Sequence, residues 1–301
     1  MKEHLEESVA ISVRGLTKRY PEGTLANRGI DLDVYRGEVL SVLGPNGAGK
    51  TTLVKQITTE LSPTSGSIRV MGIDPFREPV KAKELMGIIP QEATLFSHLT
   101  VQHHLYFFGK LKGLSRDETR AEADRWISKL ALDEDRWRKI DTLSVGTRRK
   151  VLIGVALMGD PPILILDEPT TGLDPVTRRD VWKQIRHSKE QTKTVILTTH
   201  YLEEAEFLSD RIAILLKGEI KVHGTLEEIY RLVPRSYCLT YYNEERNHGE
   251  RGKNKNVHKE SDFATLRRII EEKGLEEYSI RRISLEDIYL ELTAEHEEEN
   301  D

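Results

Sequence analysis

The 301 residues carry 50 acidic and 45 basic side chains, a formal net charge of −5, and one cysteine, Cys238. A chain of this length buries about three quarters of its unfolded surface without disulfide staples; one cysteine excludes an internal disulfide framework, and the near-balanced charge leaves no electrostatic footprint for nucleic acid, so no nucleic-acid partner is expected. The longest apolar run is five residues, Ile212–Leu216, against the roughly 20 that a spanning helix needs, and Met1-Lys2-Glu3-His4 opens no secretory signal, so the expectation is a cytosolic chain that meets a membrane only through other proteins.

In chain order, Val9–Val13 alternates apolar and polar as an edge strand does, and Ile30–Val34 repeats the pattern before the Arg36-Gly37 turn signal. Val39–Leu43 is a short apolar run, read as a buried strand, and Thr51–Leu61 is read as a helix stopped by Pro63. From about 97 to 145 the pattern turns helical (Val101–Leu111, Arg116–Leu130), with several charges and no strong strand, which predicts a helical insertion. Ile163–Leu166 and Val195–Thr198 return to buried-strand character, with helical segments between. This succession predicts an α/β fold with a mostly parallel sheet, in a first domain spanning 8–233. Beyond Pro234 the composition shifts. Ser236–Tyr242 reads as a strand, and 244–260, nearly free of apolar residues, as a flexible polar loop. A helix (Phe263–Lys273), a strand (Tyr278–Ile283) and a last helix opened by Ser284-x-x-Asp287 complete a small α+β domain over 234–301, with Glu295–Asp301 a frayed acidic tail.

Two motifs carry chemistry. Gly44-Pro45-Asn46-Gly47-Ala48-Gly49-Lys50-Thr51-Thr52 follows the Val39–Leu43 strand and opens a helix, the context in which G-x-x-x-x-G-K-[ST] cradles phosphates. Its glycines let backbone N–H groups turn toward phosphate oxygens, and the helix N-terminus adds partial positive charge at the same place. Lys50 is placed to bridge the β- and γ-phosphates of ATP, and the Thr51 hydroxyl to ligate Mg²⁺. Independently, Ile163–Leu166 ends in Asp167-Glu168, two carboxylates at the tip of a buried strand. Asp167 suits the Mg²⁺ shell and Glu168 the role of general base toward water. His98, His103 and His104 cluster in sequence, but without a cysteine or an acidic residue at helical spacing they form a weak metal pattern. Arg148-Arg149-Lys150 reads as a solvated face or a partner contact.

With these residues in place, the sequence over about 8–230 resembles the ABC ATPase family. The resemblance implies a P-loop NTPase fold with an antiparallel N-terminal β subdomain and a helical insertion. It also implies roles for residues whose own patterns are weak. Tyr20 stands where the family stacks a ring on adenine. Gln91 matches the loop that senses Mg²⁺ and water. Asp174, in Thr171-Gly172-Leu173-Asp174, matches the loop that faces a partner chain, and His200 the histidine that contacts the γ-phosphate. The family's Leu-Ser-Gly-Gly-Gln signature is here Leu143-Ser144-Val145-Gly146-Thr147. Ser144 and Gly146 remain to offer a hydroxyl and an N–H to γ-phosphate, while Val145 resists positive φ and Thr147 lacks the glutamine amide.

The resemblance further implies a head-to-tail pair of ATPase subunits, homo- or heterodimeric, bound on the inner face of the cell membrane to separate permease subunits. The segment Gln91–Val101 resembles the surface that receives them, and the Ser284–Leu290 ending resembles subunits of ABC-2-type exporters. The competing reading is a soluble ABC ATPase in translation, DNA maintenance or regulation. Translation members usually carry two nucleotide domains and chromosome members a long coiled coil, whereas this sequence has one set of nucleotide motifs and no long heptad run.

Overall fold

The alternating pattern near the N-terminus runs further than its apolar residues suggest. Val9–Arg19 (β1) and Leu25–Tyr35 (β2) pair antiparallel, and the register passes from Val13↔Leu32 to Leu16↔Ile30, an extra residue on β1. Gly15 takes φ 54 at this bulge, and the break in alternation there hides the second half of the strand from the sequence. Residues 8–190, 193–232, 237–247, 250–275 and 277–298 are described by the computed structural model; the start Met1-Lys2-Glu3-His4 lies outside them. Two units divide the chain, Met1–His223 and Gly224–Asp301. The expected boundary at 233/234 falls outside the described residues, downstream of this division.

In the first unit the buried run Val39–Leu43 (β3) leads into the helix Lys50–Ile57 (α1), shorter than the expected Thr51–Leu61. Thr59 turns left-handed at φ 65, and Leu61 N–H donates back to Lys55 O, so the helix ends before Pro63 acts. Ser65–Val70 (β4) pairs with the free side of β1, giving the antiparallel sheet β2-β1-β4. Pro79–Glu84 (α2) precedes Met86–Ile89 (β5). The helical stretch follows as Val101–Leu111 (α3), Arg116–Lys129 (α4) and Val145–Leu157 (α5). Ile163–Asp167 (β6), Pro175–Glu190 (α6), Thr194–Thr199 (β7), Leu202–Leu208 (α7), Arg211–Leu216 (β8) and Glu219–Gly224 (β9) complete the order.

The larger sheet runs β5-β6-β7-β3-β8-β9, with β5, β6, β7, β3 and β8 parallel. Every residue of β3, β6 and β7 is buried, the signature of strands covered on both faces. One apolar cluster, including Leu105, Ile127, Leu130, Val151, Leu157 and Leu164, joins the helical layer to this sheet. A second, including Ile11, Leu32, Val42, Leu53, Ile57 and Ile165, joins it to the antiparallel sheet. Because neighbouring strands lie about 4.8 Å apart, the carboxyl tips of β5, β6, β7 and β3 bring Gln91, Asp167-Glu168, His200 and the Gly44–Lys50 loop to one edge.

The second unit contains Leu226–Arg231 (α8), Tyr237–Asn247 (β10), Glu250–Glu260 (β11), Phe263–Lys273 (α9), Tyr278–Arg282 (β12) and Leu285–Glu298 (α10). Its sheet has the order β11-β10-β12, antiparallel throughout. Within the stretch expected as a loop, 244–247 and 250–260 are strand instead, paired from Tyr237↔Glu260 to Asn247↔Glu250, while 248–249 lie outside the described residues. Main-chain hydrogen bonds hold a ladder regardless of side-chain polarity, and composition alone does not register them. Leu239, Tyr241 and Leu266 form the small core. Arg281 Nη2 donates to Asp287 Oδ1 at 2.9 Å, tying β12 to the first turn of α10, while Ser284 N–H donates to Asp287 Oδ2 at 2.9 Å as that helix's cap. Of the expected frayed tail, residues 299–301 lie outside the described residues.

Candidate active site

The loop between β3 and α1 is shaped by its glycines. Gly49 has φ 105, and a Cβ there would stand 2.3 Å from Ala26 O; Gly47 has φ 80, and a Cβ there would project into open space. The first is held tight against the neighbouring strand and the second leaves its backbone open to a ligand. Asn27 locks the arrangement, donating to Gly49 O at 3.2 Å and accepting from Gln56 Nε2 at 2.7 Å. Lys50, 4% exposed, donates from Nζ to Gly44 O at 2.8 Å and Pro45 O at 3.0 Å. A cavity of about 230 Å³ opens here, lined by Asn46, Gly47, Lys50, Thr51, Gln91 and Glu168 among others.

Three oxygens converge at its floor. Thr51 Oγ1 lies 3.2 Å from Gln91 Oε1 and 3.4 Å from Asp167 Oδ1. Thr198 Oγ1 also donates to Asp167 Oδ1. An all-oxygen set of hydroxyl, amide and carboxylate is the donor chemistry a hard divalent cation takes, so these residues fit Mg²⁺. Burial pushes the Asp167 carboxyl above its ordinary value, opposed by the Thr198 and Thr51 hydrogen bonds.

Glu168 sits beside them, 5% exposed, with Oε1 3.4 Å from Lys50 Nζ. Thr171 Oγ1 donates to its Oε2 at 3.0 Å, and His200 Nδ1 stands 3.3 Å from that oxygen without the alignment of a hydrogen bond. Burial pushes this carboxyl up, but the Thr171 hydrogen bond and the charges of Lys50 and His200 outweigh it and hold it below the usual range. Glu168 is thus ionised near neutrality and able to accept a proton.

The remaining expected residues fall into two groups. Tyr20, half-buried just past β1, brings its hydroxyl within 3.4 Å of Thr52 Oγ1, at the mouth of the phosphate loop. Ser144, Gly146 and Asp174 do not line the cavity. Ser144 caps α5, accepting from Thr147 N–H at 3.1 Å, and its Oγ lies 2.8 Å from Thr147 Oγ1. Val145 takes ordinary helical backbone as the first residue of α5, so its reluctance toward positive φ is never called upon. A Cβ on Gly146 would stand 2.5 Å from Thr177 Cγ2, which lets α5 and α6 approach closely. Asp174 caps α6, accepting from the Val176 and Thr177 N–H groups at 3.0 Å each.

Two features escaped the sequence reading. Arg149, expected on a solvated face or at a partner, instead donates to the carbonyls of Glu168 and Pro169. The signal for it was only a basic residue on a helix following the signature. His104 is fully buried against Phe96 and Phe108, its ring held neutral by burial with a pKa of about 4.

A glycine-rich loop opening a helix, beside an Asp-Glu pair on a parallel strand two places away in the sheet, defines a P-loop nucleotide-binding protein of the α/β class. The family model for ABC transporters matches residues 27–171. The linearmycin resistance ATP-binding protein LnrL of Bacillus subtilis (strain 168) is 39% identical over 219 residues, 73% of this chain and 70% of LnrL. The phospholipid-transporting ATPase ABCA3 of Homo sapiens is 38% identical over 79% of this chain, which spans only 14% of ABCA3's length. Among solved structures, the ATP binding subunit of an ABC transporter aligns with TM-score 0.68 at 30% identity, covering 74% of this chain and 92% of that one. A dimeric post-hydrolysis state of the ATP-binding cassette MJ0796, bound to ADP and Pi, aligns with TM-score 0.65 at 28% identity over 72% of this chain and 98% of that one. The chain belongs to the ABC transporter family, and its first unit is the family's ATP-binding cassette.

Proposed function

We propose that this chain is the ATP-hydrolysing subunit of an exporter, working as a head-to-tail pair on the cytoplasmic face of membrane-spanning permease subunits. The observation that carries the reading is the division of the expected residues. Lys50, Thr51, Gln91 and Glu168 line one cavity, with Asp167 reaching it through Thr51, while Ser144 and Asp174 lie off it as caps of two adjacent helices and Gly146 lies where those helices approach. A γ-phosphate resting on Lys50 is then completed by the Ser144 hydroxyl and Gly146 N–H of a second ATPase subunit, with Asp174 facing that subunit across the interface.

In this reading Tyr20 stacks on the adenine, and Gly44, Pro45, Asn46, Gly47, Ala48, Gly49 and Thr52 frame the phosphates beside Lys50. Thr51, Gln91 and Asp167 hold Mg²⁺, which when bound neutralises charge building on the phosphate oxygens. Glu168 accepts the proton of the attacking water, and His200 orients the reacting phosphate. Groups supplied across an interface accelerate phosphoryl transfer by about 10³–10⁵ in other NTPases, so an isolated protomer hydrolyses ATP slowly.

Export follows the resistance role in LnrL's name and the phospholipid transport in ABCA3's. No helix among the described residues is long and apolar enough to cross a membrane. Exposed Phe96 and Phe107 on the helical layer suit an apolar partner segment.

The test mixes Ser144→Arg chains with Lys50→Ala chains, each inactive alone. Recovery of up to about a quarter of wild-type turnover at equal ratio is the expected result, since random pairing makes about half of the dimers mixed and each of these keeps one whole site of two. No recovery at any ratio, with mixed pairs shown to form, refutes the shared site.

A further inference from the structure

Glu168 takes φ 49, a backbone region that a non-glycine residue keeps only when its surroundings hold it there. Two clamps do so. On the amide side, Glu168 N–H donates to Thr198 Oγ1 at 3.0 Å and Thr198 O at 3.2 Å, fixing it to β7. On the carbonyl side, Arg149 Nη2 donates to Glu168 O at 2.5 Å while its Nε donates to Pro169 O, fixing it to α5. The planar guanidinium fork serves two successive carbonyls at once, which a lysine ammonium cannot reproduce in the same geometry. The backbone turn so fixed aims the carboxylate at Lys50 Nζ (3.4 Å), Thr171 Oγ1 (3.0 Å) and His200 Nδ1 (3.3 Å).

We propose that Arg149 is a positioning residue for hydrolysis: from α5 it holds Glu168 in the backbone conformation that presents the carboxylate to the attacking water. The helix matters as much as the fork. Ser144 caps the same α5, five residues before Arg149, a rise of about 7.5 Å along the axis. One rigid element therefore carries the hydroxyl offered to the partner's nucleotide and the grip on this chain's own base. Engagement of α5 by the opposite nucleotide is transmitted to Glu168 through a side chain, without any movement of the phosphate loop. The inference rests on the reading of Glu168 as the base.

The experiment is a double-mutant cycle on the full chain: Arg149→Lys and Arg149→Gln, each with Glu168 intact and with Glu168→Gln, measuring phosphate release and equilibrium ATP binding. A misplaced base costs on the order of 10²-fold, so Arg149→Lys lowers kcat about 10- to 100-fold, with KM and ATP affinity within about two-fold of wild type. In the Glu168→Gln background the same change alters the residual rate by less than about two-fold, because no base remains to be aimed. Arg149→Gln keeps an amide donor without the charge and gives the same pattern, which excludes a clash peculiar to lysine. Equal losses in both backgrounds, a collapse of ATP binding, or wild-type kcat in both arginine variants overturns the proposal. Wild-type turnover by Glu168→Gln alone removes the base reading itself and is seen without touching Arg149.

Discussion

Replacing Glu168 by glutamine keeps the shape of the side chain and removes its charge, and the structure sets what that does. The carboxylate lies 3.4 Å from Lys50 Nζ with both side chains about 95% buried. At an effective dielectric of about 20 their attraction is roughly 5 kcal/mol, most of it offset by the desolvation of two buried charges. The net pair therefore contributes about 1–3 kcal/mol. In the free protein, Glu168→Gln gives up that amount, moderated because Lys50 keeps the carbonyls of Gly44 and Pro45. In the ATP complex, Lys50 no longer divides itself between a carboxylate and the phosphates, so ATP binds about 10- to 100-fold more tightly. Hydrolysis loses its base and slows by about 10²–10⁴-fold. The assay combines phosphate release at saturating ATP with size-exclusion chromatography, where the variant accumulates as an ATP-bound dimer. Undiminished phosphate release, or weakened ATP binding, refutes the reasoning.

Two more predictions rest on local geometry. Gly49→Ala drives a Cβ to 2.3 Å from Ala26 O at φ 105, and backbone cannot step aside; the cost of about 2–4 kcal/mol lowers the melting temperature by about 5–15 °C and abolishes ATP binding, whereas Gly47→Ala, with open space at its Cβ, melts within about 4 °C of wild type. Equal melting of the two variants contradicts the account of the loop. In the second unit, burial raises the Asp287 carboxyl, but hydrogen bonds from Arg281 and Ser284 hold it far below its ordinary value of 3.8. A folded-state pKa depressed in this way stabilises fully above the unfolded value and is lost as the pH falls through about 4 and below. Protection of the β12 and α10 amides in the full chain, measured relative to intrinsic exchange, falls over that window, and Asp287→Asn makes that protection insensitive to it; an unchanged acid dependence of protection in the variant disproves the assignment.

The parts of the fold legible in the sequence were those where a side-chain pattern is obligatory. The Gly44–Thr52 loop permits few substitutions that keep its backbone turned toward phosphate, and the apolar stretches within β3, β6 and β7, strands buried at every residue, have few places to go but a two-sided sheet. Asp167-Glu168 was legible because charge at the end of such a run must sit at the sheet's edge. What the sequence hid was carried by backbone or by direction. The pairing of β10 with β11 is carried by the main chain across a stretch nearly free of apolar residues. The second half of β1 lies past a bulge that resets its alternation. Among Arg148, Arg149 and Lys150, no one-dimensional signal marks Arg149 as the residue that turns toward Glu168 and Pro169. At Val145, α5 asks its first residue for helical geometry, so the signature here requires no positive φ.

The central claim is that each ATP is enclosed by two ATPase subunits. A crystal structure of the Glu168→Gln protein with ATP and Mg²⁺ tests it most directly. The account predicts two nucleotides per dimer, each with its γ-phosphate between Lys50 of one protomer and Ser144 and Gly146 of the other. A nucleotide wholly enclosed by one protomer, with Ser144 facing solvent, would contradict it.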